Sequence, residues 1–185
     1  MKLTHPFTWL SESTQKIAFI VMFPATLIIS YVMSILGNPL KTTVAPSGIV
    51  DYELAGSLKR SSDILASWGQ TEHIYAGLGL GFDFVYILFY SIAIALGCVI
   101  VARSLSARIP ILANIGIVIA WLPFVAGVLD CAENYSLIQL LFGAQEEFFA
   151  VVARWCAIPK FTLIGVGLVY VVIGTILALI VKSRK

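Results

Sequence analysis

The sequence predicts an all-α integral membrane protein, a four-helix bundle with two amphipathic helices on its outer side. Three observations carry that expectation. The 185 residues are 59% hydrophobic and only 12% charged, against roughly 45–50% apolar and about 25% charged in a soluble domain. The mean hydropathy is +0.96. Four stretches stay apolar over the roughly 20 residues that a helix needs to cross the hydrocarbon core.

The first stretch covers residues 17–37, bracketed by Lys16 and by Asn38-Pro39. Its apolar run exceeds the roughly 7–15 residues of a signal-peptide core, so it is expected to be an uncleaved helix. The second covers 74–102 and is ended by Arg103. The third follows Arg108 and Pro110 and covers 111–130. The fourth covers 161–181, between Lys160 and Lys182.

Two further helices are expected at about 51–68 and 145–156. In the first, Leu54, Leu58, Leu65 and Trp68 recur at helical spacing while Lys59, Arg60 and Asp63 fall elsewhere. In the second, Phe148, Phe149, Val152 and Trp155 oppose Glu146, Glu147 and Arg154. Each reads either as a lid packed on the bundle or as a helix lying in the lipid surface. No repeat and no low-complexity tract divides the chain, so residues 1–185 read as a single transmembrane domain.

Composition also removes several functions. The formal net charge is +2 and the basic residues are dispersed, so no nucleic-acid partner is expected. The three cysteines include no C-x-x-C pair and do not make a disulfide scaffold. A disulfide between Cys131 and Cys156 is left open. His5, His73 and scattered cysteines do not give a zinc ligand set, and neither a metal nor a cofactor is expected. His73, beside Glu72, reads first as a surface group. There is no G-x-S-x-G, H-E-x-x-H, phosphate loop or dinucleotide fingerprint, which argues against an enzyme without excluding one.

Orientation follows from the lysines and arginines in the connections. Lys2, Lys16, Arg103, Arg108, Lys182, Arg184 and Lys185, seven of the twelve, fall with the termini and the 103–110 connection. Both termini are therefore expected in the cytoplasm, with the long loops 38–73 and 131–160 outside.

Ionisable residues inside spans cost roughly 2.5–3.5 kcal/mol each at the helix centre, so they usually face protein or a cavity. Asp83 falls within the second span. Asp130, Glu133 and Asn134 form D-x-x-E-N, on one helical face. Small residues mark close helix contacts, and Gly116, Ala120, Pro123 and Gly127 lead into that face. Gly79, Asp83, Tyr86, Tyr90, Ala93 and Gly97 form a second stripe, with Gly77-x-x-x-Gly81 as a separate packing face. Thr26, Ser30 and Ser34 lie four apart on the first span, and Lys160 opens the fourth. Under the expected orientation these groups share one depth, in the outer half. Three readings remain: helix-joining ion pairs, a pocket for a lipid or small molecule, or a proton or cation pathway.

The ordered set Glu53-Leu-Ala-Gly-Ser, Ala66-Ser-Trp68, Gly81-Phe-Asp-Phe-Val-Tyr86, Leu129-Asp-Cys-Ala-Glu-Asn134 and Lys160-Phe161 resembles a group of small uncharacterised bacterial four-span membrane proteins. The resemblance covers about residues 50–180. It implies a bacterial inner-membrane origin and no particular chemistry.

The leading expectation is binding of a membrane lipid or other lipophilic ligand in an outward-facing polar pocket. Asp83, Asp130, Glu133 and Asn134 would contact the head, Lys160 an anionic head, and Tyr86, Tyr90 and Trp121 the apolar body. Pro123, beside Trp121, would kink the third span and widen the pocket. The rival expectations are an accessory or scaffold subunit of a larger membrane complex, and a lipid-modifying enzyme using a carboxylate as acid or base. A homo-oligomer is left open.

Overall fold

The computed structural model describes residues 4–183, with side chains described as far as Ile180. The described chain is all-α. In order come α1 (Glu12–Gly37), a single 3₁₀ turn (Asn38–Leu40), α2 (Ile49–Glu53), α3 (Leu58–Ser67), α4 (Gln70–Leu105), α5 (Pro110–Ile119), α6 (Leu122–Leu141) and α7 (Glu147–Ser183). Four segments are long and apolar enough to cross a membrane: Glu12–Leu40, Gln70–Leu105, Pro110–Leu141 and Glu147–Ile180. The architecture is a four-helix bundle of a multi-pass membrane protein.

Three boundaries differ from those expected. The third crossing is two helices, and it extends past residue 130 to Leu141, so Asp130 lies within α6 and not at a span's end. The break falls just before Pro123, which sits in the first turn of α6. A proline there forfeits no helical hydrogen bond, so it starts a helix instead of kinking one.

The expected separate helix at 145–156 is the first part of α7, which continues unbroken through Pro159 and Lys160. Its inward face is only partly the expected one: Phe149 and Val152 are half-buried, and Phe149 packs against the apolar core. Ala150, Ala153, Ala157 and Lys160 are buried at helical spacing, whereas Phe148 and Trp155 are exposed. Small residues let the helix axes approach, and Phe148 and Trp155 point away from the protein. Most of the expected 131–160 loop is therefore helix.

The expected helix at 51–68 is split into α2 and α3. Gly56 interrupts it at a positive φ of 68°, a conformation that glycine adopts without steric cost. Ser57 then caps α3, its side chain accepting from the Arg60 backbone N–H. This segment is a lid. Tyr52, Ile64 and Trp68 are buried with Leu40, Leu80, Leu137 and Leu140 in one apolar core. The Tyr52 hydroxyl donates to the Leu137 carbonyl at 3.0 Å, and Trp68 Nε1 donates to the Leu40 carbonyl at 2.9 Å. Leu54, expected on the apolar face, is exposed.

Backbone contacts group the chain into two compact units. One gathers Leu27–Leu88 and Val128–Lys160 and contains the lid. The other gathers Met1–Thr26, Phe89–Gly127 and Phe161–Lys185. The second is packed through glycine. A Cβ at Gly174 would overlap Val101, and one at Gly116 would overlap the ring of Tyr170, whose hydroxyl donates to the Leu112 carbonyl. Arg103 pairs there with Glu12 at 3.3 Å and donates to the Gln15 side chain at 2.8 Å.

Candidate functional site

The candidate site lies wholly within the unit of residues 27–88 and 128–160. Helix α6 supplies Asp130, Glu133 and Asn134, at offsets of zero, three and four along one face. All three are buried, Glu133 and Asn134 completely. Helix α4 brings Asp83, and Asn134 Nδ2 donates to Asp83 Oδ2 at 2.7 Å. The Asp83 carboxyl also lies within hydrogen-bonding reach of Asp130. Helix α7 brings Lys160, whose Nζ is 2.9 Å from Asp130 Oδ1 and 2.8 Å from Glu133 Oε2. The convergence of Asp83, Asp130, Glu133, Asn134 and Lys160 thus follows the sequence reading.

The fourth carboxyl was not among the expected site residues. Glu53 closes the short helix α2, and its side chain is more than nine-tenths buried. It feels the charges of Lys160, Asp83 and Asp130. Burial pushes its carboxyl up to about 7, because desolvation penalises the charged form more than the Lys160 ammonium favours it. Glu53 Oε2 has no hydrogen-bond partner among the described residues, and the same is true of Glu133 Oε1 and Asn134 Oδ1.

Glu53 and Asp83 both line a cavity of about 60 Å³. Its other lining is apolar, chiefly Met33 and Leu36 of α1, Leu40, Ile49 and Leu80. Gly79 lines it as well, and a Cβ there would meet nothing within 4 Å.

The remaining expected residues are placed elsewhere. Tyr86 is half-buried in the same unit. Tyr90 and Trp121 belong to the other unit. Trp121 is largely exposed and its Nε1 donates to the Thr4 carbonyl at 3.0 Å, so it does not line the cavity. The Thr26 hydroxyl donates back to the Met22 carbonyl of its own helix, and Ser34 is exposed. Thr26 thus satisfies its hydroxyl on the preceding turn of its own helix. Gly77 faces the Leu141 side chain, but Gly81 has open space beside it, so the pair is not a packing face. Arg154 pairs with none of the acids; it lies over Gly56, where a Cβ would overlap it. His73 bonds the Gly69 carbonyl at 2.8 Å and stands edge-on to Trp68. The three cysteines, Cys98, Cys131 and Cys156, are free. Among the described residues, no group of three or more His, Cys, Asp or Glu side chains is arranged to hold a metal ion.

The chain matches no family model, and no curated protein and no solved structure is similar to it. Chemistry alone must assign the site. Four carboxyl groups face one ammonium and one amide. Two N–H directions of Lys160 go to Asp130 and Glu133, and the Asn134 amide goes to Asp83. What remains is a surplus of acceptors. Such a site accepts donors and repels anions.

Proposed function

We propose that this protein binds a membrane lipid or another lipophilic small molecule by a donor-bearing head. The head meets Asp83 of the acidic cluster and Glu53, with Asp130 and Glu133 behind them, and the hydrocarbon lies against the apolar lining. One observation carries this reading: the cavity is lined by two acids, Glu53 and Asp83, together with apolar side chains. Binding sites for small ligands combine those two features, with few polar groups fixing orientation. The loop charges favour cytoplasmic termini, with the acidic cluster in the outer half of the bundle. Lys160 does not serve an anionic head, because its ammonium is already held by Asp130 and Glu133.

Native mass spectrometry of the protein released from detergent tests the reading. A retained lipophilic adduct is expected. Asp83→Asn should lose it while the thermal melt by circular dichroism stays cooperative. A folded protein that retains nothing, and takes up nothing from a bacterial lipid extract, would defeat the reading.

A second reading is an accessory subunit of a larger membrane complex. It is supported by the pairing of Asp83, Asp130 and Glu133 inside the protein, as helix-joining groups would be. Glu53 departs from that pattern. Co-purification of one fixed partner at constant stoichiometry would favour it.

A further inference from the structure

We infer that the head group taken by the Glu53–Asp83 cavity is a primary ammonium, a conclusion that rests on the binding reading above and narrows its ligand class. The acid cluster alone does not carry this. The second observation is Glu53 itself: a carboxyl more than nine-tenths buried, lining the cavity, with Oε2 unpartnered among the described residues. A buried carboxyl oxygen left without a hydrogen-bond partner is costly.

The cluster's own donors cannot reach a balance. Lys160 is engaged by Asp130 and Glu133, and Asn134 by Asp83. Four carboxyls against one ammonium leave room for positive charge and none for negative. A phosphate or carboxylate head beside these acids would meet like charge. A hydroxyl would supply one donor and no charge. A primary ammonium supplies three N–H donors and a full charge, and charge-assisted bonds of this kind are roughly twice as strong as neutral ones. A trimethylammonium carries the charge but no N–H, so it leaves Glu53 Oε2 unsatisfied. Methylation of the nitrogen therefore separates a hydrogen-bonded ammonium site from a merely acidic one. The apolar lining from Met33, Leu36 and Leu80 accepts the attached carbon chain. The ammonium can come from an aminophospholipid head or from a free long-chain amine.

The test uses the full chain in detergent and two matched pairs of ligands, with affinities read by native mass spectrometry titration. One pair is phosphatidylethanolamine and phosphatidylcholine with identical acyl chains. The other is dodecylamine and dodecyltrimethylammonium. Tighter binding of the N–H member by about tenfold, one charge-assisted bond's worth, is expected in at least one pair, and the pair that shows it identifies the source. Glu53→Gln should erase that preference. Gly79→Leu fills the cavity beside Asp83 while leaving every carboxyl in place, and should abolish binding even where Glu53→Gln fails to fold. Equal affinities within both pairs, or a preference unchanged in folded Glu53→Gln, would overturn the ammonium assignment and leave lipophile binding standing. Absence of any retained lipophile would overturn both.

Discussion

Asn134 on α6 and Asp83 on α4 are joined by a 2.7 Å hydrogen bond between residues 51 positions apart in the chain. The amide is the Asp83 carboxyl's donor from α6, and it is fully buried. Asn134→Leu removes that donor and leaves a half-buried carboxyl with less support. The expected loss is about 1–3 kcal/mol, measured as a lower midpoint of unfolding in detergent. A midpoint equal to that of the parent would show that the bond contributes little.

Lys160 holds two carboxylates at once. Lys160→Met strands both, and breaking a buried pair from one side costs about 3–5 kcal/mol. The triple change Lys160→Met, Asp130→Asn, Glu133→Gln removes both charges and should recover most of that loss. Comparing the two unfolding curves decides whether the ammonium matters for its charge or for its bulk.

Glu53 should make stability fall as pH rises. The folded state keeps its proton up to about 7, while an unperturbed glutamate releases it near 4.5. Between those values the folded state binds more protons than the unfolded one, so each step up in pH favours unfolding. The stabilising contribution is complete below the lower value and gone above the upper. Glu53→Gln should flatten this slope between pH 4.5 and 7, as followed by thermal melts. An unchanged slope in the variant would assign the dependence to another group.

Glu147 Oε2 accepts the Leu58 backbone N–H at 2.7 Å, so a residue of α7 closes the start of α3. Glu147→Ala should cost about 1 kcal/mol, the usual worth of a helix cap. Hydrogen exchange at Leu58 and its neighbours should accelerate, with exchange in α6 unaffected.

Topology is separately testable. With the native cysteines replaced, a cysteine at Lys59 should react with an impermeant maleimide in intact cells. One at Ser106 should react only after permeabilisation. The reverse pattern would invert the orientation drawn from the loop charges.

Much of the site was legible because intramembrane charge is expensive and therefore informative. The D-x-x-E-N spacing already put Asp130, Glu133 and Asn134 on one face, and Asp83 and Lys160 had few other places to go. Glu53 was hidden for a local reason. It lies in the stretch expected as one amphipathic helix, where no spacing singles it out; the break at Gly56 sets α2 apart, and Glu53 is buried at its end. The start of α7 was misplaced for a related reason. Lys160 resembles a span's charged end, but a lysine paired within the bundle does not terminate a helix. The stripe of Ala150, Ala153 and Ala157 leading to Lys160 was the available signal, outweighed by the more conspicuous Phe148 and Trp155 on the opposite face.

The unbroken start of α7 has a mechanical corollary. Glu147 grips α3, Arg154 lies over the hinge glycine between α2 and α3, and Lys160 anchors the acids, all on one stiff rod of 13 residues' separation. Prising the cover away would tug on the same lever that tethers the charges. Occupancy beneath the cover and the integrity of its latch should then be read out together.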